Sequence, residues 1–315
     1  LQYLESILYF AFNFINYSSI EEPMNLASDK DDEIVIQNDD DSEDFDDDDS
    51  MVGGNDESWK IRRAAILLSE NLIKNFPDAY LEYLRNNDYI DCFLILIHDV
   101  ENSVQLEAFE LIKIIIKAYG NDELIKKQYT RWIERIITQL YIVKKQIIPM
   151  ALELYSQLVL LKACLPIELS IKTFTLLNSI ADNVDIQCSI DNLAFTIFKT
   201  QLMNDELIKI IINVFLKILD TNSSKSTTLT LQIIQHLYMY MNGKVTKELN
   251  QLTEKVIQLS SKNGEIMNQS LLTISIYLVL YPNGELSNKA LNIIIESLNN
   301  GSHARATPNI LALIA

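Results

Sequence analysis

Residues 58–65 read SWKIRRAA and begin the regular part of the sequence. From Trp59 onward, apolar residues recur every three or four positions, which is the spacing of one face of an α-helix. Only seven glycines and six prolines occur in 315 residues, and most lie between the periodic segments. This leaves few places for the tight turns of a β-rich protein. With a hydrophobic fraction of 48%, the sequence therefore predicts an all-α protein with ample core.

From residue 59 onward the predicted helices come in pairs. The pairs are 59–75 with about 88–98, 103–119 with 123–141, 145–162 with 167–181, 186–202 with 205–220, 225–242 with 245–261 and 265–280 with 286–299, before an unpaired start near 306. First helices recur about every 40 residues, the period of HEAT or armadillo repeats and not of the 34-residue tetratricopeptide unit. Because one pair cannot bury its wide apolar face alone, neighbouring pairs must stack. We expect an α-solenoid of HEAT-like pairs, with about six and a half units over 58–315.

Two segments precede this array. Residues 1–18 are predicted to form an amphipathic helix that completes an upstream repeat, and residues 19–57 an acidic flexible loop. Between Glu21 and Glu57 there are seventeen acidic residues and one lysine, so this segment accounts for nearly all of the net charge of −17. Its densest part comprises Asp39, Asp40, Asp41, Asp46, Asp47, Asp48 and Asp49.

The acidic loop has two possible roles. Dense like charges do not pack together, so the loop can simply be disordered and add solubility. Alternatively it can steer a basic partner, or compete for that partner's site, through an attraction that salt weakens. In either case it should bury nothing, and deleting Asp29–Asp49 should leave the melting temperature nearly unchanged.

Several classes of function are disfavoured by the sequence. The chain outside the acidic loop is nearly neutral, which argues against nucleic acid as a partner, and no apolar run is long enough for a transmembrane helix. Cys92, Cys164 and Cys188 are widely spaced, without the pattern of a zinc site or a disulfide framework, which fits a reducing compartment. Nucleotide-binding and hydrolase motifs are absent. We therefore expect a protein that is not an enzyme, with no cofactor, no metal and no small-molecule substrate.

Isolated polar or sulfur-containing residues do not change this expectation. His98 stands next to Asp99 at the end of an apolar helix, and His236 lies within another, so both are interpreted as structural or surface histidines. The stretch 238–241, Tyr-Met-Tyr-Met, is interpreted as core and groove lining rather than a cofactor site.

A basic stripe on the predicted second helix 123–141 is the candidate binding site. Its cations stand at i, i+4 and i+8 around an aromatic residue, and second helices line the concave face of right-handed solenoids of this type. The stripe could meet an acidic partner surface, or be an ordinary solvated face. Its residues are Lys126, Lys127, Arg131, Trp132 and Arg135.

Residues at the predicted helix ends support the segmentation. Asp, Asn or Ser can cap a helix start, and glycine suits the left-handed position after a helix end. The residues concerned are Asp122, Asn204 and Ser287 at starts and Gly120, Gly243 and Gly301 at ends.

The repeat signature resembles that of one family. Trp59, Ile61, Arg62 and Ala65 follow the HEAT pattern of a branched apolar residue, an arginine and a small residue, whereas Gln105 stands where the next unit would have its arginine. An Asp-rich run ending in DDDDSM, a short glycine spacer and SWKIRRAA resemble the cullin-associated, neddylation-dissociated (TIP120) family, in which an acidic insertion precedes SWKVRRAA.

The resemblance implies a function in ubiquitin-ligase assembly. Members of this family are all-helical scaffolds that wrap around an unmodified cullin and its RING subunit and exchange substrate-receptor modules. The expected partners are therefore a cullin, its RING subunit and the remaining repeats of the parent protein, in cytoplasm and nucleus. This piece would be the middle of the arch, since the family's adaptor-blocking hairpin has no counterpart in it.

Two alternatives stay open. An importin-β-type transport receptor is also a HEAT array with an acidic loop followed by a Trp, and there the loop binds basic cargo or a small GTPase. The RRAA continuation favours the cullin family. A generic HEAT scaffold, such as a phosphatase subunit, would give no reason for the acidic insertion.

Overall fold

A computed structural model describes residues 3–15, 17, 57–87, 90–142, 147–161, 166–200, 203–221, 223–262 and 264–299. This part of the chain is all α-helical, and no β-strand occurs in it. The helices are α1 (Leu4–Ile15), α2 (Ser58–Asn75), α3 (Pro77–Asn87), α4 (Ile90–Leu96), α5 (Asn102–Tyr119), α6 (Glu123–Lys126), α7 (Tyr129–Ile142), α8 (Ile148–Leu160), α9 (Ile167–Ile180), α10 (Val184–Thr200), α11 (Asp205–Asp220), α12 (Ser224–Met241), α13 (Lys247–Leu259), α14 (Glu265–Leu280) and α15 (Ser287–Asn299).

The helices pack in two rows. In the first row each helix contacts the next in the order α1, α2, α5, α8, α10, α12 and α14. In the second row the order is α7, α9, α11 and α13. Contacts such as α7 with α8, α11 with α12 and α13 with α14 join the rows, and α3, α4 and α15 pack against α2, α5 and α14. Helices adjacent in a row are therefore two elements apart in sequence along most of the chain.

The core runs continuously between the rows, because each helix buries one apolar stripe there. On α11 the buried residues include Leu207, Ile211, Phe215 and Ile218, which recur every three or four positions. The hydrophobic cluster extends without interruption from Leu8 in α1 to helix α15. The predicted all-α class is confirmed.

Several predicted helix ends are confirmed. The carboxylate of Asp122 accepts a hydrogen bond from the Leu124 amide at 3.0 Å, and the Asn204 side chain accepts one from the Leu207 amide at 2.8 Å. After α12, Gly243 has φ +85°, so it takes the left-handed conformation that favours glycine. The predicted helix starting near 306, Gly301 and the acidic residues 29–49 lie outside the described residues.

Three sequence predictions are wrong. The pairing of 59–75 with 88–98 omits α3, which starts at Pro77 directly after α2 ends. The single helix 123–141 is two helices, because the Gln128 amide bonds the Ile125 carbonyl in a tighter turn between α6 and α7. Gly120 is right-handed, with φ −60°, so its role is not the predicted left-handed turn.

Candidate protein-binding surfaces

The residues of the repeat signature lie on α2 in different environments. Ala65 is buried, Trp59 is half-buried against the core, and Ile61 is 38% exposed. Arg62 is largely covered, with its guanidinium bonded to several neighbouring groups. The small residue of the signature therefore lies at a helix contact, whereas Ile61 is on the surface.

Arg62 joins three segments of the chain. Its Nε donates to Asp99 Oδ2 at 2.6 Å and its Nη2 to Asp99 Oδ1 at 3.0 Å, which is the two-point geometry of a strong ion pair. Nη1 donates to Ser58 Oγ at 2.6 Å and to the Tyr17 carbonyl at 3.0 Å. The arginine therefore connects the end of α1, the start of α2 and the turn before α5.

Glutamine has a similar role where the signature loses its arginine. Gln105, buried on α5, donates from Nε2 to the Asp99 carbonyl at 2.5 Å. Gln187, buried on α10, donates to the Ala181 carbonyl at 2.9 Å. In both cases the acceptor lies six residues earlier, in the turn before the helix. A long polar side chain near the start of these first-row helices thus holds the preceding turn.

No protein-family model matches the chain, and no curated protein matches it significantly. The resemblance to the cullin-associated family therefore depends on the residues of the signature themselves.

The basic stripe is exposed, but it does not lie on one helix. Lys126 ends α6 and Lys127 follows it, whereas Arg131 and Arg135 lie on α7. All four cations are at the surface. Trp132 is fully buried beneath them, so it is a core residue and cannot contact a partner in this conformation. Of the predicted site, the cations are accessible to a partner and the aromatic ring is not.

The charge of the stripe is partly balanced by its own neighbours. Lys126 Nζ pairs with Glu123 Oε1 at 2.9 Å, whereas Arg131 donates to the neutral amide oxygen of Gln128 at 3.0 Å and keeps its charge. Burial lowers the pKa of His98, and the charge of Arg135 lowers it further, so His98 stays neutral at pH 7. The stripe therefore presents a modest positive charge to solvent.

The second row carries ion pairs between its consecutive helices. Lys209 on α11 lies 3.1 Å from Glu248 on α13, and Lys255 on α13 pairs with Asp220 of α11. Outside this row, Lys289 on α15 lies 3.3 Å from Glu254 on α13. Exposed pairs of this kind contribute only about 0 to 1 kcal/mol each. They neutralise the surface of this row more than they stabilise it.

A groove between α5 and α8 was not predicted. It has a volume of about 630 Å³ and is lined by apolar Ile114 and Leu160 and by Lys113, Lys117 and Gln157. Lys113 lies 2.8 Å from Glu110 and 3.0 Å from Glu153. Burial lowers the pKa of Lys113, but these two carboxylates outweigh burial and raise it. Two carboxylates therefore balance the Lys113 ammonium, whereas Lys117 is exposed. These two lysines, one turn apart on α5, are a sequence feature of the groove.

The two histidines are in different settings. His98 is half-buried at the end of α4, whereas His236 is exposed on α12, with its ring 4.8 Å from that of Phe195 on α10. Burial and then the nearby Lys199 ammonium lower the pKa of His236. Within 238–241, Tyr238 and Met241 are buried, but Met239 is 48% exposed. The stretch therefore serves both the core and the surface.

Asp191 is a buried acid that the sequence did not reveal. It is fully buried on α10, where Oδ2 accepts a hydrogen bond from Thr230 Oγ1 at 2.8 Å and Oδ1 has no partner among the described residues. Burial raises the pKa of Asp191 to about 8, although the hydrogen bond from Thr230 works against this. This residue is a structural acid between α10 and α12.

The described residues offer neither a metal site nor a membrane span. In these parts of the chain, no group of His, Cys, Asp and Glu could hold a metal ion, and neither Cys92 nor Cys188 forms a disulfide there. Cys164 falls in a gap of the described ranges. None of the described helices is both long and apolar enough to cross a bilayer.

Proposed function

We propose that this chain is a non-catalytic α-solenoid scaffold of HEAT-like helix pairs that binds protein partners along its surface. The observation that carries the proposal is the packing in two rows, in which helices two elements apart in sequence stack on one another. Stability in such an array comes from neighbour interfaces, so the surface can extend with each unit and follow an elongated partner.

The proposed partner is an unmodified cullin with its RING subunit. Support comes from residues 58–65, in which Arg62 is covered and paired at two points as the signature arginine of a first helix, and from the 40-residue period. In this proposal the chain supplies the middle of an arch, and it regulates ubiquitin-ligase assembly by exchange of substrate-receptor modules.

The proposed mechanism is one of shape and spacing. Two rows joined mainly through side-chain contacts can bend slightly at each neighbour interface, as in other stacked arrays. The basic stripe on α6 and α7 would meet an acidic part of the partner surface. Such contacts govern the association rate and orientation more than the final affinity.

The proposal is tested by pull-down with the full-length parent protein. We expect recovery of a cullin–RING complex, and less recovery when the cullin carries its ubiquitin-like modifier. Recovery of a RAS-like nuclear GTPase without a cullin would overturn the cullin proposal and favour the transport-receptor alternative. Recovery of neither protein would count against the cullin proposal.

A further inference from the structure

An apolar patch crosses three neighbouring helices of the first row. Its residues are Phe195 and Lys199 on α10, His236 and Met239 on α12, and Ile276 and Val279 on α14. Val279 is 52% exposed, Met239 is 48% exposed, and Phe195 and Ile276 are half-buried. Met239 and Val279 are therefore open to solvent next to covered apolar neighbours.

Direct contacts hold the patch together. The Lys199 ammonium lies 4.2 Å from the centre of the Phe195 ring, and that ring also contacts His236. On the far side, Gln235 donates to Thr273 Oγ1 at 3.1 Å, which fixes the register of α12 against α14. Met239 lies one turn after Gln235, and Ile276 lies one turn after Thr273. Phe195 thus contacts both Lys199 and His236, and the Gln235–Thr273 bond places Met239 of α12 at the level of Ile276 of α14.

The charge of this patch differs from that of the second row. Three lysines on or beside that row each pair with a carboxylate on α11 or α13, namely Lys209, Lys255 and Lys289. Lys199 forms no ion pair with any described residue; its contact is the face of Phe195. It is also the patch's only permanent charge, since the lowered pKa keeps His236 neutral at pH 7. The patch thus combines apolar area with one cation that lacks a counter-charge among the described residues.

We propose that this patch docks an acidic amphipathic helix of a partner protein. Apolar residues of that helix cover Met239, Ile276 and Val279, and a carboxylate meets Lys199. Helices in contact lie about 8 to 10 Å apart, so three of them span about 20 Å, the length of a helix of about fourteen residues. Anchors at i, i+3, i+4 and i+7 are the usual means by which such a helix binds an apolar surface. Burying Lys199 against a carboxylate provides orientation and selects against a basic helix.

This surface lies on the first row, whereas the basic stripe lies on α6 and α7, so it does not depend on the cullin proposal. The probe is a labelled fourteen-residue helical peptide with Leu at every third or fourth position and Glu between, compared with the same peptide bearing Lys in place of Glu. Fluorescence anisotropy with the full chain measures both affinities. We expect the acidic peptide to bind at least tenfold more tightly than the basic one.

Two substitutions locate the binding. Lys199→Glu reverses the cation and Met239→Asp places a charge in the apolar area, and each should weaken the acidic peptide at least tenfold. Lys225→Glu, at an exposed lysine near the start of α12, makes the same charge change away from the patch and should have little effect. Unchanged melting temperatures show that the variants fold. Equal affinities of the two peptides, no binding of either, or equal effects of Lys199→Glu and Lys225→Glu would each overturn the proposal.

Discussion

Arg62 and Asp99, 37 residues apart in sequence, form a two-point ion pair at 2.6 and 3.0 Å. The exposed fraction of the side chain is 12% for the arginine and 6% for the aspartate. A pair so far removed from water is costly to break, because the partner left behind keeps its charge in a poorly solvated place. Since Arg62 also bonds the Tyr17 carbonyl, the pair connects α1 and α2 to the start of α5.

Removal of this arginine should destabilise the chain strongly. We expect Arg62→Ala to cost about 3 kcal/mol, near the lower end of the range for buried pairs because some exposure remains. The measurement is the free energy of unfolding from urea titration. Arg63→Ala is the matched control: Arg63 pairs with Glu107 at 2.9 Å but is 45% exposed, so its loss should cost about 0 to 1 kcal/mol. Equal losses for the two variants would contradict the structural role of Arg62.

Gly120 is required for space and not for a left-handed turn. A Cβ at this position would lie 3.0 Å from the Tyr129 hydroxyl and closer still to the Ile116 carbonyl. The Tyr129 hydroxyl also donates a hydrogen bond to the Gly120 carbonyl, so it cannot withdraw without losing that bond. We expect Gly120→Ala to cost about 1 to 3 kcal/mol, as for other overpacked positions.

Gly264 provides the comparison for Gly120. It has φ +74°, and a Cβ added there would have no described atom within 4 Å, so alanine meets only backbone strain. The measurement is the melting temperature of both variants. A Gly120→Ala variant that melts at the wild-type temperature would show that the contact with Tyr129 does not exclude a side chain at position 120.

Much of the helical pattern could be predicted from the sequence, because each helix has a buried stripe with regular spacing. Helix α11 was predicted to span 205–220 and does so, since Asn204 caps its start and the stripe is unbroken. Helix α3 was missed because only one residue, Phe76, separates it from α2, although Pro77 is typical of a helix start. Only two of its residues, Tyr80 and Leu84, are fully buried, which makes the stripe short.

The surfaces were harder to predict than the helices. The cations of the basic stripe are exposed, but Trp132, predicted from the sequence to lie with them, is in the core. Periodicity identifies an apolar stripe without showing which residues at its edge stay uncovered. Met239 and Tyr238 are adjacent in sequence, yet only their position relative to α14 decides that one is exposed and the other buried.

Asp191 should make the stability of the chain depend on pH. Its pKa is raised from an ordinary value of 3.8 to about 8 in the folded state, so at intermediate pH the native state holds a proton that the unfolded state has released. Stability therefore falls as the pH rises from about 4 to about 8, by at most about 1.4 kcal/mol per pH unit from this group. Above pH 8 both states are ionised and the slope from Asp191 ends.

The hydrogen bonds around Asp191 fit a neutral acid. Thr230 Oγ1 is 2.8 Å from Asp191 Oδ2 and 2.9 Å from the Ser226 carbonyl, and one hydroxyl hydrogen cannot serve both acceptors fully. Protonation of Asp191 would reverse the first of these bonds, so that Asp191 donates to Thr230 Oγ1 and Thr230 donates only to the Ser226 carbonyl. We expect Asp191→Asn to flatten the pH profile of unfolding between about pH 5 and 8. Parallel profiles for the variant and the wild type would show that Asp191 is ionised in the fold.

The basic stripe gives the sharpest test of the proposed cullin contact. Replacing Lys126, Lys127, Arg131 and Arg135 by Glu should weaken binding of a purified cullin–RING complex at least tenfold, or about 1.4 kcal/mol. The reason is that four exposed cations become four anions on the surface proposed to meet an acidic partner. The effect should shrink as salt rises, since contacts between exposed charges are screened over about 8 Å at physiological ionic strength. Calorimetry at two salt concentrations measures both quantities.

The matched control for the stripe changes the net charge equally at other exposed lysines. Lys225, Lys244, Lys247 and Lys262 are all at the surface and lie on or near α12 and α13, away from α6 and α7. Reversal of these four should leave the affinity within about twofold, or about 0.4 kcal/mol, because it changes the long-range field but no proposed contact. A loss as large as that of the stripe variant would mean that overall charge governs binding. Unchanged affinity in the stripe variant would show that the cations of the basic stripe do not contact the cullin, because charge reversal at a contact would weaken binding.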